Sequence, residues 1–279
     1  MKQYKNPKPL VSVVIPTYNA ELYMQKCLQS VLNQTYKNIE ILVVDDCSKD
    51  NTKLYVTKLK NKKIKLLKTK RNSGGPAVPR NLGISKAKGK YIAFLDQDDL
   101  WEPKKLEICI NIMNKHFEFC YHQLKQKNNK ILKNHLVDIT KNPVQFLLEK
   151  GPIPTTSGVL VSKKIINKAK GFCESKKLIA GEDYDCWLRI AKMGARFCFI
   201  KKPLGTYGQV GEKLTSPKNA ISILHVIKKR HFNKTKIIPL WIHKSFIKNL
   251  FFTKGFFSSF IYFIKNINVI QKSFLSQKY

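Results

Sequence analysis

Short apolar runs alternate with amphipathic segments along the first hundred residues of the chain. Four apolar runs predict buried strands at residues 11–15, 41–44, 64–67 and 91–95. Between the first two runs, apolar residues recur at helical spacing and predict a helix with Asn19 as its N-cap. Further helices are predicted from residue 52 and over residues 80–87. Strands that alternate with helices in this way indicate a mostly parallel, doubly wound α/β sheet flanked by helices.

The pattern changes beyond the fourth run. The middle of the chain predicts helices over residues 107–117 and 182–193 and strands over residues 158–161 and 196–200. From residue 217 onward, lysine interleaves with phenylalanine and isoleucine, and there is no aspartate or glutamate. The sequence therefore predicts an α/β domain over residues 1–216 and a basic, aromatic-rich helical extension over residues 217–279.

Polar residues follow the carboxyl ends of three predicted strands. Thr17 follows the first strand, Asp46 follows the second, and Asp96 and Asp98 follow the fourth. In open α/β sheets, ligands bind in the crevice beyond the carboxyl ends of the strands. We therefore expect these side chains to converge on one crevice, although they lie far apart in sequence.

The strongest local signal is the apolar strand that runs directly into Asp96, Asp98 and Asp99. Carboxylates this close raise one another's pKa, and a divalent cation resolves that conflict. Oxygen ligands of this kind suit Mg²⁺ or Mn²⁺, which keep positions free for phosphate oxygens. The alternative is a solvated acidic turn that caps the next helix, but such a turn does not require an apolar strand before it.

Other segments carry candidate groups that also have plain structural explanations. Asp46 can accept a hydrogen bond from a base or ribose edge, unless this segment only caps the next helix. Arg80 follows a loop rich in glycine and proline and can fork onto a phosphate, unless it is an ordinary surface arginine. Asp183 opens a helix, where the helix dipole favours a carboxylate. In the functional interpretation, Asp183 is a general base.

Composition adds a large positive charge. The chain has 52 Lys and Arg against 18 Asp and Glu, which gives a formal net charge of +34. Few of the basic residues are arginine, and the abundance of lysine, asparagine and isoleucine is typical of an AT-rich genome. We attribute part of the charge to that bias. The remainder favours a negatively charged partner, such as an anionic membrane leaflet, and anionic substrates.

Cysteine spacing and the lack of long apolar stretches bear on location. None of the seven cysteines forms a Cys-x-x-Cys pair, so we expect reduced thiols in a cytoplasmic protein and no zinc site. Residues 1–10 are polar, and no run approaches the roughly 18 apolar residues that span a bilayer. We therefore expect a cytoplasmic protein that lies against the inner face of the cell membrane.

Six segments, in this order, resemble the inverting glycosyltransferases of family two, which have the GT-A fold. The segments are Val-Ser-Val-Val-Ile-Pro-Thr-Tyr-Asn, Asn-Gln-Thr-Tyr, Val-Val-Asp-Asp-Cys-Ser-Lys-Asp, Pro-Arg-Asn-Leu-Gly, Phe-Leu-Asp-Gln-Asp-Asp and Gly-Glu-Asp-Tyr-Asp. Each is weak alone, but together they are highly specific, and the similarity covers about residues 10–207. The resemblance implies that Thr17 and Tyr18 line the nucleotide pocket, that Asp46 contacts the uracil, and that Arg80 lies near the base or phosphates.

The resemblance also implies the reaction. Asp96 would lie near the ribose and the metal, Asp98 would bind Mn²⁺ or Mg²⁺ directly, and Asp183 would be the catalytic base. A sugar would pass from a nucleotide-sugar donor to a hydroxyl of a surface glycan such as lipopolysaccharide or capsule, and its anomeric carbon would be inverted. By this resemblance the donor would be a UDP-sugar. Because many acceptors of the family are lipid-linked glycans, we expect residues 217–279 at a membrane surface. A packed helical subdomain or a dimer contact is the alternative.

Two other classes of protein are weaker explanations. A sugar-phosphate nucleotidylyltransferase needs a Gly-rich, Arg-containing loop directly after the first strand, where this chain has Pro-Thr-Tyr-Asn. A basic, non-enzymatic module for membranes or nucleic acids explains the charge but not the acidic strand ends. Since a polyanion binder gains nothing from three aspartates in one cleft, we expect no nucleic-acid partner.

Overall fold

Four strands alternate with three helices through residue 94, as the apolar pattern predicts. The computed structural model describes residues 8–132, 136–208, 217–232 and 239–275. The elements of the first part are β1 (Val11–Thr17), α1 (Glu21–Leu32), β2 (Ile39–Asp45), α2 (Thr52–Lys58), β3 (Ile64–Lys68), α3 (Ala77–Lys86) and β4 (Tyr91–Phe94). The helix α3 begins three residues before its predicted start, with Pro76 as its N-cap.

The rest of the described chain is less regular. Its elements are β5 (Leu100–Trp101), α4 (Lys105–Met113), β6 (Phe119–Lys125), α5 (Pro143–Lys150), β7 (Val159–Ser162), α6 (Lys163–Lys168), α7 (Glu182–Lys192), β8 (Phe197–Thr206), α8 (Pro217–His231) and α9 (Leu240–Leu275). The predicted helices over residues 107–117 and 182–193 correspond to α4 and α7. The predicted strands correspond to β7 and β8, whereas β6 has no counterpart among the predictions.

The strands form one sheet in the order β3-β2-β1-β4-β7-β6-β8-β5. β1 lies parallel between β2 and β4, and β3 pairs parallel with β2. Beyond β4, β7 pairs antiparallel with β4 and with β6, while β8 is parallel to β6 and antiparallel to β5. The predicted α/β class is confirmed, and the sheet is mixed because strand–helix–strand alternation ends at β4.

Aromatic packing fixes α7 against the sheet. The Trp187 indole lies edge-on to Phe119, with ring centroids 4.9 Å apart, and edge-on to Phe172 at 5.5 Å. Its Nε1 donates a hydrogen bond to the Pro154 carbonyl at 3.1 Å. Trp187 is fully buried, and together with the other buried side chains of α7 it fixes the helix and so positions the residues of its first turn.

The beginning of α1 differs from the prediction. The N-cap is Ala20, and Asn19 lies in the left-handed region with a φ of 47°. The Asn19 side-chain oxygen accepts a hydrogen bond from the backbone N–H of Lys49 at 2.9 Å. The predicted cap is wrong because this amide ties the loop after β1 to the loop after β2 instead of bonding its own helix.

The two C-terminal helices pack on the α/β part of the chain. Arg230 of α8 donates from Nε to the buried Asp185 carboxylate at 2.6 Å, and His231 Nε2 lies 2.9 Å from the same oxygen. Trp241 of α9 donates to the Leu148 carbonyl at 2.7 Å. The predicted boundary between 216 and 217 adjoins residues 209–216, which lie outside the described residues, so it stays a prediction.

Two further expectations concern the whole chain. All seven cysteines are unpaired thiols, and four of them are buried. Within the described residues, no helix has both the length and the apolarity needed to cross a membrane. The N-terminal residues 1–7 lie outside the described part of the chain.

Candidate active site

The loops after β1, β2 and β4 are bonded to one another at the carboxyl edge of the sheet. The Asp46 backbone N–H donates to the Thr17 carbonyl at 2.7 Å. The Gln97 side chain pairs with both backbone groups of Tyr18: Oε1 accepts from its N–H at 2.8 Å, and Nε2 donates to its carbonyl at 3.0 Å. The structure therefore brings these strand ends to one edge, where the Tyr18 side chain is exposed.

Arg80 joins two carboxylates that are far apart in sequence. Its Nη2 donates to Asp96 Oδ1 at 2.6 Å, and its Nη1 donates to Glu182 Oε1 at 2.7 Å. The guanidinium is buried and lies over the Phe172 ring, 5.2 Å from its centroid. The two carboxylates raise the pKa of Arg80 further above its ordinary value, against the effect of burial. The fork expected on a phosphate is here occupied by protein carboxylates.

Asp183 lies in the first turn of α7, directly after Glu182. Its Oδ1 accepts a hydrogen bond from the Tyr184 N–H at 2.7 Å, and its Oδ2 lies 3.4 Å from Thr156 Oγ1. Burial, followed by the neighbouring Glu182, raises the pKa of Asp183 to about 6, although Arg80 acts in the opposite direction. A carboxylate with this pKa is ionised at neutral pH and is able to take up a proton.

Asp98 and Asp99 share the edge but have different environments. Asp98 is partly exposed, and burial together with Asp96 raises its pKa. Asp99 is buried, and its Oδ1 accepts a hydrogen bond from the backbone N–H of Gly208 at 2.7 Å. Burial, Asp96 and Asp98 hold the pKa of Asp99 well above its usual range. Asp99 therefore links the segment after β8 to the segment after β4, whereas Asp98 is partly exposed at the same edge.

The carboxylates fit a divalent cation only if other ligands join them. In the described part of the chain, no three His, Cys, Asp or Glu side chains are grouped to hold a metal by themselves. Mg²⁺ commonly takes only one or two carboxylates from the protein and completes its shell with phosphate oxygens and water. Burial and then the charge of Asp96 raise the pKa of Asp98, and a bound cation would relieve the repulsion between the two carboxylates.

The Asp46 carboxylate accepts hydrogen bonds from the segment that connects β3 to α3. Its Oδ1 accepts from Thr69 Oγ1 at 2.7 Å, and its Oδ2 accepts from the Ser73 N–H at 2.9 Å and from Ser73 Oγ at 2.8 Å. The Asn72 side chain also donates to the Asp46 carbonyl at 3.1 Å. Asp46 thus fixes the loop before α3. Its Oδ2 accepts two hydrogen bonds, whereas its Oδ1 accepts one and keeps a lone pair for a further donor.

Several residues at the edge were not among the sequence candidates. Ser157 Oγ accepts from the Asp96 N–H at 3.0 Å, and the Ser157 carbonyl accepts from Trp101 Nε1 at 2.8 Å. Tyr207 lies near the acidic cluster, and burial followed by Asp99 raises its pKa to about 12. Glu182, which binds Arg80, is a further residue of this kind. Its position beside Asp183 was visible in the sequence, whereas Ser157 and Tyr207 carry no sequence signal of a site.

Comparison with known proteins gives a family and several relatives. Residues 12–170 match the family model described as Glycosyl transferase family 2. Over 184 residues the chain is 38% identical to the *Escherichia coli* protein named UDP-Glc:alpha-D-GlcNAc-diphosphoundecaprenol beta-1,3-glucosyltransferase WfgD. That match covers 66% of this chain and 70% of WfgD. An uncharacterized glycosyltransferase of *Rickettsia bellii* is 34% identical over 199 residues. That match covers 67% of this chain but only 28% of the *Rickettsia* protein.

Solved structures share the fold. *S. aureus* TarS 1-349 in complex with UDP-GlcNAc superposes with a TM-score of 0.66 at 23% identity, over 87% of this chain and 73% of that one. The mannosyltransferase PcManGT from *Pyrobaculum calidifontis*, in complex with GDP-Man and Mn²⁺, has a TM-score of 0.60 at 19% identity. That match covers 81% of this chain and 64% of PcManGT. At these identities the similarity concerns the GT-A fold alone.

Proposed function

Because the chain belongs to glycosyl transferase family 2, we propose that it uses a UDP-sugar as donor and inverts the anomeric carbon. The family and the named relatives make the chain a glycosyltransferase that acts on nucleotide sugars. The proposed acceptor is a hydroxyl of a lipid-linked glycan that serves a surface polysaccharide such as lipopolysaccharide or capsule. The name of WfgD, which includes both UDP-Glc and a diphosphoundecaprenol acceptor, supports this choice.

One observation carries the mechanism. Arg80 bonds Asp96 at the end of β4 and Glu182 in the first turn of α7, at 2.6 and 2.7 Å. The two bonds connect the segment after β4 to the first turn of α7, which contains Asp183. A donor bound at the strand ends would then present its sugar towards Asp183.

The donor side of the crevice is assigned to the strand ends. Thr17 and Tyr18 line the nucleotide pocket, with the Tyr18 backbone held by Gln97. Asp46 contacts the uracil, and its bonds to the loop before α3 keep its carboxylate in place. Arg80, whose two terminal nitrogens are used by carboxylates, acts by orienting Asp96 rather than by binding a phosphate.

The metal side of the crevice is assigned to two aspartates. Asp98 would hold Mn²⁺ or Mg²⁺ directly, and Asp96 would lie near the ribose and the metal. When bound, the cation would supply positive charge for the departing diphosphate. Asp99 stays outside this set because its carboxylate is buried and bonded to Gly208.

Asp183 is assigned as the base. Its carboxylate takes the proton of the acceptor hydroxyl while that oxygen bonds to the anomeric carbon. The bond from this carbon to the diphosphate breaks on the opposite face, and the electron pair leaves with the nucleoside diphosphate. One displacement of this kind inverts the carbon and requires no covalent sugar–enzyme intermediate.

Transfer activity should depend on pH through Asp183. Its pKa of about 6 lies above that of an ordinary aspartate, so the base loses its charge as the pH falls through that value. We expect kcat/KM to rise with pH and to level off above about pH 7, with a loss of about tenfold at pH 5. Initial rates in overlapping buffers measure the profile. A profile that is flat from pH 5 to 7, roughly one unit on either side of this pKa, contradicts the assignment.

Donor binding should depend on Asp98. We expect Asp98→Ala to abolish the part of donor binding that requires Mn²⁺, because the substitution removes the carboxylate that would hold the cation. Titration calorimetry of UDP with and without Mn²⁺ measures this difference. The matched control is Asp138→Ala, which removes an exposed carboxylate outside the crevice. Undiminished Mn²⁺-dependent binding in Asp98→Ala contradicts the metal assignment.

A donor-hydrolysis screen tests the proposed function as a whole. Nucleotide sugars that differ in base and in sugar are incubated with the chain and Mn²⁺, and the released nucleoside diphosphate is measured. We expect release from a UDP-sugar and much less from GDP-sugars. Preference for a GDP-sugar contradicts the proposed donor, and activity that a chelator leaves unchanged contradicts the proposed cation.

A further inference from the structure

The C-terminal helix α9 folds back on itself at Gly255. This residue has a φ of 78° and a ψ of −178°. That conformation is not helical, and glycine adopts it more readily than other residues do. The two halves of α9 lie side by side, since Tyr262 Oη lies 3.1 Å from His243 Nδ1 and the Tyr262 ring stacks on Phe246. The result is a helical hairpin, and we call residues 251–257 the hairpin tip.

The hairpin tip exposes four phenylalanines. Phe251, Phe252, Phe256 and Phe257 are 51%, 64%, 65% and 78% exposed. The rings of Phe251, Phe252 and Phe256 also help to line an apolar groove of about 400 Å³ between the two halves of α9. Soluble proteins rarely leave a contiguous aromatic patch in water, and such a patch marks an interaction surface.

The C-terminal region that contains the hairpin, residues 217–279, carries positive charge only. Residues 217–279 contain eleven lysines, one arginine and no aspartate or glutamate. Lys244 and Lys248 are exposed and precede Phe251 by seven and three residues in the same helical half. At 1.5 Å per residue, they lie about 10 and 5 Å from it along the helix axis. The tip itself contains one exposed lysine, Lys254, whose long side chain can extend its ammonium towards the headgroups. The other two lysines lie behind the phenylalanines at a distance that matches lipid headgroups above acyl chains.

We propose that the hairpin tip inserts into the interfacial layer of an anionic lipid bilayer. The phenylalanine rings enter the acyl boundary, and the lysines behind them contact the acidic headgroups. A second copy of the chain is the other occupant to consider. Pairing two such hairpins would bring together two regions of the same positive charge, so charge complementarity favours the bilayer. The inference goes beyond the proposed function, because bilayer binding requires neither donor nor acceptor.

Co-sedimentation of the full chain with vesicles tests the apolar contribution. We expect the chain to bind vesicles of phosphatidylcholine mixed with phosphatidylglycerol, and to bind vesicles of phosphatidylcholine alone much less. Phe252→Ser with Phe257→Ser should lower the partition coefficient by roughly tenfold or more, because two exposed rings lose their apolar contact. The matched control is Leu22→Ser in α1, where the leucine is 83% exposed but lies far from the tip in sequence.

A charge-reversal pair tests the electrostatic contribution. Lys244→Glu with Lys248→Glu should also weaken binding to the anionic vesicles by roughly tenfold or more. The control pair, Lys58→Glu with Lys62→Glu, makes the same change in net charge on exposed residues near α2 and should have a much smaller effect. Donor hydrolysis in solution should be unchanged in all of these variants, which separates a failure of this inference from a failure of the proposed enzyme.

Three results would overturn the inference. One is recovery of the unmodified chain in the supernatant with anionic vesicles. Another is an equal loss of binding in the tip variant and in Leu22→Ser, or in the two lysine pairs, which would indicate unspecific attraction of the whole basic chain. The last is a dimer in analytical ultracentrifugation that Phe252→Ser with Phe257→Ser dissociates while vesicle binding is unaffected. That result would assign the hairpin tip to a second copy.

Discussion

Replacing Asp183 with asparagine should remove most sugar transfer and leave donor binding unchanged. The amide is close in size to the carboxylate but does not take up a proton, so the acceptor hydroxyl would attack without a base. General bases typically contribute about 10²–10⁴-fold to the rate, and we expect kcat to fall within that range. The donor pocket should be intact, because the strand-end contacts of Thr17, Tyr18 and Asp46 do not involve Asp183. Transfer assays give kcat, and titration with UDP gives donor affinity.

The pH profile distinguishes loss of the base from a general disturbance of the site. In Asp183→Asn the residual activity should no longer rise with pH through about 6, since the group responsible for that rise is gone. The substitution Glu182→Gln, next to Asp183, is the control for this profile. It should weaken the site through Arg80 but keep the pH-dependent rise, because Asp183 is still present. Normal turnover in Asp183→Asn would exclude Asp183 as the base.

The donor edge of the site was accessible from the sequence because it depends on local patterns. Each of the first four strands is a short apolar run, and in a parallel sheet the carboxyl ends of such strands share an edge. Thr17, Asp46 and Asp96 could therefore be placed together without knowledge of any contact. The structure puts them at that edge through the pairing of β1 with β2 and β4.

The contacts that complete the site depend on the order of the strands in the second half of the sheet. Sequence patterns give little indication of that order. Arg80 and Glu182 are 102 residues apart, and their bond depends on the packing of α7 against the sheet, to which the buried Trp187 contributes. β6 was missed because His122 and Gln123 are polar, yet both are buried. Strand propensity depends on such tertiary surroundings more than helix propensity does.

The hairpin in the C-terminal region shows a second limit of sequence patterns. Phenylalanine, isoleucine and lysine interleave on both sides of Gly255, so the pattern alone predicts helix without locating a reversal. The reversal depends on one residue with a positive φ, and its partners are the distant contacts of Tyr262 with His243 and Phe246. Periodicity reports which residues share a face, but it does not report where the chain turns.

Replacing Arg80 with methionine should cause a large loss of stability. The guanidinium is buried between Asp96 and Glu182, and Glu182 is also buried. Methionine would fill much of the space but would leave a buried carboxylate without its partner. Breaking a buried ion pair from one side typically costs about 3–5 kcal/mol of unfolding free energy, and we expect a loss of that order. Urea unfolding followed by circular dichroism measures it as a lower midpoint.

Controls within the chain identify the cause of that loss. Arg71→Met makes the same change at an exposed arginine nearby and should alter stability by less than about 0.5 kcal/mol. Adding Glu182→Gln to Arg80→Met should restore part of the stability, because the second change removes the buried charge that the first one left unpaired. Arg80→Lys keeps the charge, but a single ammonium does not reproduce the fork that joins Asp96 to Glu182. If Arg80→Met is no less stable than Arg71→Met, the guanidinium does not hold the donor edge and α7 together, and the proposed positioning of Asp183 loses its basis.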